Sequence, residues 1–195
     1  MPQQENEPPR IKPTVILPDT SPLVHLAAAD ALHVLNDLGR VIVVDVVVLE
    51  ATNDGSKPYA SEIATWIAEG GEPGSNRPVE IAVTEIGPLY KLALDQNMKP
   101  PRNAGEIGIA EWLTAELRHL GGPALVVYEN GRIPNMLARE GITETIAVAT
   151  TRNLLELAQR EGLIDSAEML WARIIEAVPT ANPASILTYI NAPKP

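Results

Sequence analysis

TVILPDTSPL, residues 14–23, runs from a short apolar, largely β-branched segment through Pro18-Asp19 into Ser21-Pro22. The first four residues read as a buried strand, because a short continuous apolar run bounded by a turn signal suits a strand covered on both faces. Ser21 followed by Pro22 reads as a helix N-cap with proline at the first helical position, where its missing N–H costs nothing. Strand, acid, helix is the opening of an α/β unit. It leaves Asp19 at the carboxyl end of a strand, where open α/β sheets gather their ligands.

The alternation continues outward from there. Residues 23–38 are helical in pattern, with a break near Asp30 and a stop at Gly39, and residues 41–44 form a second strand. The next segment is ambiguous. Residues 41–49 suit one long strand by β-branching, yet Asp45 also suits the cap of a helix carrying Val48, Leu49 and Glu50. Residues 59–68 are helical, 70–78 a loop, 79–83 a third strand, 89–95 helical and 96–102 a loop. Asn103 opens a long helix to about Leu120, which Gly121-Gly122-Pro123 ends. Residues 124–128 make a fourth strand, followed by the turn-like Glu129-Asn130-Gly131. A helix at 133–140, a fifth strand at 145–149 and helices at 153–161 and 167–177 complete the pattern. Residues 179–195 are a proline-punctuated tail with a short helix expected at 185–190. The pattern predicts an α/β fold with a mostly parallel central sheet of about five strands, flanked by helices. One domain is expected over residues 14–178, with a polar arm at 1–13 and a C-terminal extension at 179–195 packing on it or trailing from it.

Composition narrows the chemistry. A chain of 195 residues, 45% apolar, buries a core without staples. It has no cysteine, which excludes disulfides, thiolate zinc sites and a cysteine nucleophile. His25, His33 and His119 lack metal-ligand spacing and read as surface or packing residues. The net charge of −10 argues against a protein that coats nucleic acid with a basic face. It is compatible with an acidic site whose positive charge comes from a bound cation. No apolar run approaches the roughly 20 residues of a membrane span, and residues 1–13 do not resemble a secretory signal; the expected address is cytoplasmic. Neither GxGxxG nor GxxxxGK[ST] occurs, so dinucleotide and P-loop chemistry lack their signatures.

Four acids stand at the ends of elements. Asp19 follows the first strand, Glu129 follows the fourth, and Glu106 lies in the first turn of the long helix beside Gly105. Glu50 faces the same crevice if a helix leaves the second strand. Each has a plainer reading: Asp19 as a helix cap, Glu106 as the partner of Asn103 in a capping box, Glu50 as a solvated helix residue, Glu129 as a turn residue. Together they repel one another, a cost that a hard divalent cation with oxygen preference offsets.

The order of these segments resembles a PIN domain. Residues 14–23 are similar to that family's first strand and Asp-x-Ser turn, and 41–50 to its second strand and acid-bearing helix. Asn103-Ala-Gly-Glu-Ile-Gly-Ile-Ala110 resembles its Gly-Glu motif, 124–130 the strand that delivers a further acid, and 141–164 the last strand and helix. Residues 165–191 resemble the C-terminal helices of a bacterial and archaeal subgroup. The resemblance implies a three-layer fold and an Mg²⁺- or Mn²⁺-dependent ribonuclease, with Asp45 capping a helix that carries Glu50. It implies catalytic acids at Asp19, Glu50, Glu106 and Glu129. Asp19, Glu106 and Glu129 would hold metal, and Glu50 would orient a reacting water or hold a ligand in place. Ser21 maps to the family's hydroxyl beside the first acid. A hydroxyl after the last strand maps to Thr150 or Thr151, with Thr150 expected. Asn130 stands where the family often has a second Asp. It would orient a carboxylate but brings no charge, so Asn130→Asp is expected to strengthen a second cation position.

Arg132 and Arg152, with Arg102 and Arg139 as further candidates, flank the acidic rim and are expected to meet the substrate backbone. Relatives imply an antitoxin protein as partner, and a homodimer is expected because Leu163-Ile164 and the terminal helices carry more apolar positions than one small core needs. Two rivals stand beside this reading. One is a PIN-like module that binds RNA or protein without cutting. The other is an Mg²⁺-dependent phosphotransfer enzyme, which needs an acid two residues after the nucleophilic Asp, where Ser21 stands.

Overall fold

Four segments, Val-Ile-Leu-Pro at 15–18, Val-Ile-Val-Val at 41–44, Ala-Leu-Val-Val at 124–127 and Ile-Ala-Val-Ala at 146–149, are buried at every position. Such unbroken apolar strands belong to a parallel sheet covered on both faces. A computed structural model describes residues 12–129, 131–139, 142 and 144–191. Its sheet comprises β1 (Val15–Pro18), β2 (Arg40–Val44), β3 (Val79–Ala82), β4 (Ala124–Val127), β5 (Ile146–Ala149) and β6 (Leu187–Ile190). The strand order is β3-β2-β1-β4-β5-β6. All neighbours pair in parallel except β5 and β6, which are antiparallel. The helices that cover it are α1 (Thr20–Ala28), α2 (His33–Leu38), α3 (Asp45–Thr52), α4 (Ala60–Gly71), α5 (Ile86–Asp95), α6 (Ala104–Leu120), α7 (Arg132–Leu137), α8 (Thr151–Arg160) and α9 (Ala167–Ala177). The result is the expected three-layer α/β architecture. Among the described residues no helix is long and apolar enough to cross a membrane.

The order reverses at β1: the chain leads to β2 and β3 on one side and to β4 and β5 on the other. Such a reversal opens a crevice outside the carboxyl ends of the two central strands. Here those strands are β1 and β4, with Pro18 opposite Val127. The pairing continues one step further, because the Asp19 N–H donates to the Val127 carbonyl at 2.9 Å. Asp19 and Glu129 therefore arrive at one rim from adjacent strands.

Several boundaries differ from the sequence reading, each for a physical reason. The first helix starts at Thr20, with Asp19 rather than Ser21 at the N-cap position. Pro22 is tolerated because the first four N–H groups of a helix have no intrahelical partner anyway. The ambiguity after β2 resolves as a helix, with Asp45 its first residue; the Asp45 carboxylate accepts from the Val46 N–H and from both the N–H and hydroxyl of Thr84. The chain breaks between α1 and α2 at Asp30, whose φ of 53° lies in the left-handed region that Asp tolerates better than most residues. Residues 70 and 71, expected in a loop, close α4 instead. A Cβ at Gly70 would lie 2.5 Å from Val79 Cγ2, so close seating of α4 on β3 outweighs the helix penalty of glycine. The helix expected at 185–190 is instead the edge strand β6. It raises the strand count from five to six and makes the tail part of the sheet. Thr188, Tyr189 and Ile190 favour strand, and antiparallel pairing with β5 completes it. Leu163 and Ile164 pack against the core; large exposed apolar side chains stand mainly around β3 and α5, at Ile81, Val83, Leu89, Leu92 and Met98.

Candidate functional site

Asp19 is delivered by β1 and is 6% exposed. It occupies the N-cap position of α1, but its side chain makes no capping bond; it accepts from the adjacent Thr20 N–H. The plain capping role therefore does not account for this residue. Burial pushes its carboxyl up to about 7, and the charges of Glu106, Glu50 and Glu129 push in the same direction. The other three acids singled out from the sequence thus all bear on Asp19.

Glu50 reaches the site from α3. Its Oε2 accepts from the Thr20 hydroxyl at 2.7 Å, and the Gly105 N–H also bonds to its carboxylate. Burial is the largest influence and raises its pKa, with Glu106 adding to that; the two hydrogen bonds and Lys57 oppose it. The Lys57 ammonium donates to the Glu50 backbone carbonyl at 2.6 Å. Glu106 is buried in the first turn of α6. Asn103 before it adopts φ 56° and ψ 33°, and its side chain makes no cap bond.

Gly105 explains why the first turn of α6 comes so close. A Cβ there would lie 2.9 Å from Asp19 Oδ1 and 3.0 Å from Glu50 Oε2. The glycine brings a helix N-terminus, with its unpaired N–H groups and positive dipole end, against two carboxylates.

Glu129 is held by the first residue of α8. Its Oε1 accepts from the Thr151 N–H at 3.0 Å and from the Thr151 hydroxyl, and His25 Nδ1 stands 3.3 Å away. Its Oε2 is buried with no hydrogen-bond partner among the described residues. A cleft of about 360 Å³ opens beside it, lined by Thr20, Ser21, His25, Glu129, Thr180 and Asn182 among others. Asp19, Glu50 and Glu106 are not in that lining.

The hydroxyl assignments shift by one residue at both ends. Ser21 is exposed and lines the cleft, while its neighbour Thr20 bonds Glu50. Thr150 caps α8 by accepting from the Asn153 N–H and also fastens the tail, donating to the Ala184 carbonyl at 2.7 Å and accepting from the Ile186 N–H at 3.1 Å. Thr151 is the hydroxyl that meets the acid. Thr150→Val should leave those tail groups unpaired and destabilise the fold by about 1–3 kcal/mol, read as a drop in melting temperature. Glu129 keeps both Thr151 donors in that variant.

Arg152 is engaged away from the rim. It donates to the Pro183 carbonyl, pairs with Glu156 and Glu168, and lies 5.8 Å above the Trp171 ring. Arg102 and Arg139 are exposed; Asn130 and the side chain of Arg132 lie outside the described residues. His25, expected as a surface or packing residue, is buried and touches Glu129. The available signal was its place among Pro22, Leu23 and Leu26 on the buried face of α1, where a titratable ring needs a polar partner.

The donor set is four carboxylates, which suits a hard divalent cation, and the orphaned Glu129 Oε2 is the kind of atom such a cation would satisfy. Among the described residues no three acids or histidines close into a ready-made cage. No protein-family model matches the chain, and no curated protein matches it in a sequence search.

Proposed function

We propose that this chain is a PIN-type endoribonuclease that hydrolyses RNA phosphodiesters with Mg²⁺ or Mn²⁺ in the cytoplasm. The observation that carries the reading is the close seating of the first turn of α6, which bears Glu106, against the Asp19 and Glu50 carboxylates at the β1–β4 crevice, where the charges of Glu50, Glu106 and Glu129 all bear on the buried Asp19. Asp19, Glu106 and Glu129 are the proposed metal holders. Glu50, fixed by the Thr20 hydroxyl and the Gly105 N–H, orients the reacting water or steadies Asp19. When bound, a divalent cation supplies the positive charge that offsets the acids and assists in-line attack on the phosphodiester. An antitoxin partner and assembly as a homodimer belong to the same reading. A monomer mass in light scattering at micromolar concentration would remove the homodimer.

The direct test is cleavage of a generic single-stranded RNA with Mn²⁺, compared with chelator. Glu106→Gln should abolish metal-dependent cleavage and leave the metal-free fold at least as stable, because one repelling charge is gone. If Glu106 serves the helix terminus alone, the variant should lose about 1 kcal/mol or less and keep its activity.

A second reading is favoured by one feature: Glu129 is drawn toward His25 and Thr151, and among the described residues no three acids or histidines close into a cage. That arrangement suits a module that binds RNA or protein without cutting it. Mn²⁺ separates the two, since a nuclease gains thermal stability from Mn²⁺ through Asp19 and a binding module does not.

A further inference from the structure

The arrangement of donors around Glu129 is one-sided. An ionised carboxylate has two oxygens and about four acceptor positions. Here the Thr151 N–H, the Thr151 hydroxyl and His25 Nδ1 all converge on Oε1, and among the described residues none hydrogen-bonds the buried Oε2. The Glu129 and His25 side chains are 10% and 6% exposed, so bulk water does not make up the difference.

His25 is held in this place from behind. Its ring meets Trp171 of α9 edge to face, with centroids 6.5 Å apart and planes at 86°. Trp171 is in turn covered by the Arg152 guanidinium, which the Pro183 carbonyl and Glu168 keep in place. His25 Nδ1 faces a carboxylate oxygen at 3.3 Å and the Thr151 hydroxyl oxygen at 3.5 Å. Both are acceptors there, because the Thr151 proton is already given to Glu129. The partners therefore assign the proton to Nδ1, which makes this nitrogen a donor and not a metal ligand.

We propose that His25 is a positioning residue of the site: with Thr151 it locks Glu129 Oε1, and so presents Oε2 as the oxygen that takes the divalent cation. The proposal rests on the reading of the carboxylates given above. It also explains how α9 and the tail, which hold none of the four acids, bear on the site: they fix the ring that fixes the acid. Groups that orient a metal-holding carboxylate in this way typically change metal affinity by about 10–100-fold when removed.

The experiment measures Mn²⁺ affinity of the full chain by calorimetry, with no RNA present. The variants are His25→Asn, His25→Gln, His25→Leu and Glu129→Gln, each also melted in chelator. Asn places an amide N–H near the position of Nδ1, whereas the longer Gln places it near Nε2. The expected result is Mn²⁺ binding weakened about tenfold or more in His25→Gln and His25→Leu, with most of it recovered in His25→Asn. Cleavage should follow in kcat with KM for RNA little changed. Equal Mn²⁺ affinities for His25→Asn and His25→Gln would overturn the proposal, and that comparison stands even if His25→Leu fails to fold. If Glu129→Gln loses Mn²⁺ while every His25 variant keeps it, the proposal fails alone and the carboxylate reading stands. A wild-type protein that binds no Mn²⁺ removes both.

Discussion

Asp19→Asn is expected to raise the melting temperature of the metal-free protein at pH 8, and to leave it nearly unchanged at pH 4. The sign follows from linkage. The Asp19 carboxyl has a pKa of about 7 in the folded chain against an ordinary value of 3.8, so the native state binds this proton more tightly than the unfolded state. Stability from this group is fully present below pH 3.8, falls between pH 3.8 and about 7, and is gone above that. At the free energy that each pH unit between the two values represents, the penalty in the ionised native state is at most about 4 kcal/mol. Asparagine cannot ionise and keeps an acceptor for the Thr20 N–H. Its advantage should therefore grow across that same pH window and then level off, reaching several degrees in melting temperature. Mn²⁺ should reverse the order, because the wild-type carboxylate gains a cation and the amide does not. Cleavage should fall by about 100-fold or more if Asp19 holds metal. An Asp19→Asn melting curve that shifts equally at pH 4 and pH 8 would show that the buried charge is not what limits stability.

Gly105→Ala should separate the site from the fold. Alanine in a helix is favoured over glycine by about 1 kcal/mol, but the nearest neighbours of a Cβ at Gly105 are the two acids and Val47. There the new methyl lies 2.9 Å from Asp19 Oδ1, 3.0 Å from Glu50 Oε2 and 3.3 Å from Val47 Cγ2. Both carboxylates have to give by a few tenths of an ångström, and the bond from the Gly105 N–H to Glu50 has to bend with them. The melting temperature in chelator should change by only a few degrees, as propensity and crowding offset each other. Cleavage should fall by about 100-fold, since catalysis is that sensitive to misplacement near the reacting atoms. An active Gly105→Ala would mean that Gly105 serves only the seating of α6 on α3. The spacing of Asp19 and Glu50 would then not be what the chemistry depends on.

Local pattern alone dictates the elements whose burial and chain order leave no choice. β1, β2, β4 and β5 are apolar without interruption, and such runs alternating with amphipathic helices specify a covered parallel sheet. Once β1 and β4 are strands, Asp19 and Glu129 stand at strand carboxyl ends, and Glu106 beside Gly105 stands in the first turn of a helix. Those positions were legible one residue at a time.

The partners of each acid were not legible. Thr20 rather than Ser21 bonds Glu50: α1 starts at Thr20, two residues before its proline, and successive side chains on a helix point about 100° apart about its axis. Thr151 rather than Thr150 bonds Glu129, because Thr150 is drawn to Ala184 and Ile186 of a tail more than thirty residues away. That tail is a strand because its Thr188, Tyr189 and Ile190 favour extended chain and β5 offers them an edge to pair with. His25 meets Glu129 because α9 packs Trp171 behind it. In each case the deciding contact joins residues far apart in the chain. Local pattern sets which way a segment tends to fold, but only the packed tertiary structure sets which donor faces which carboxylate.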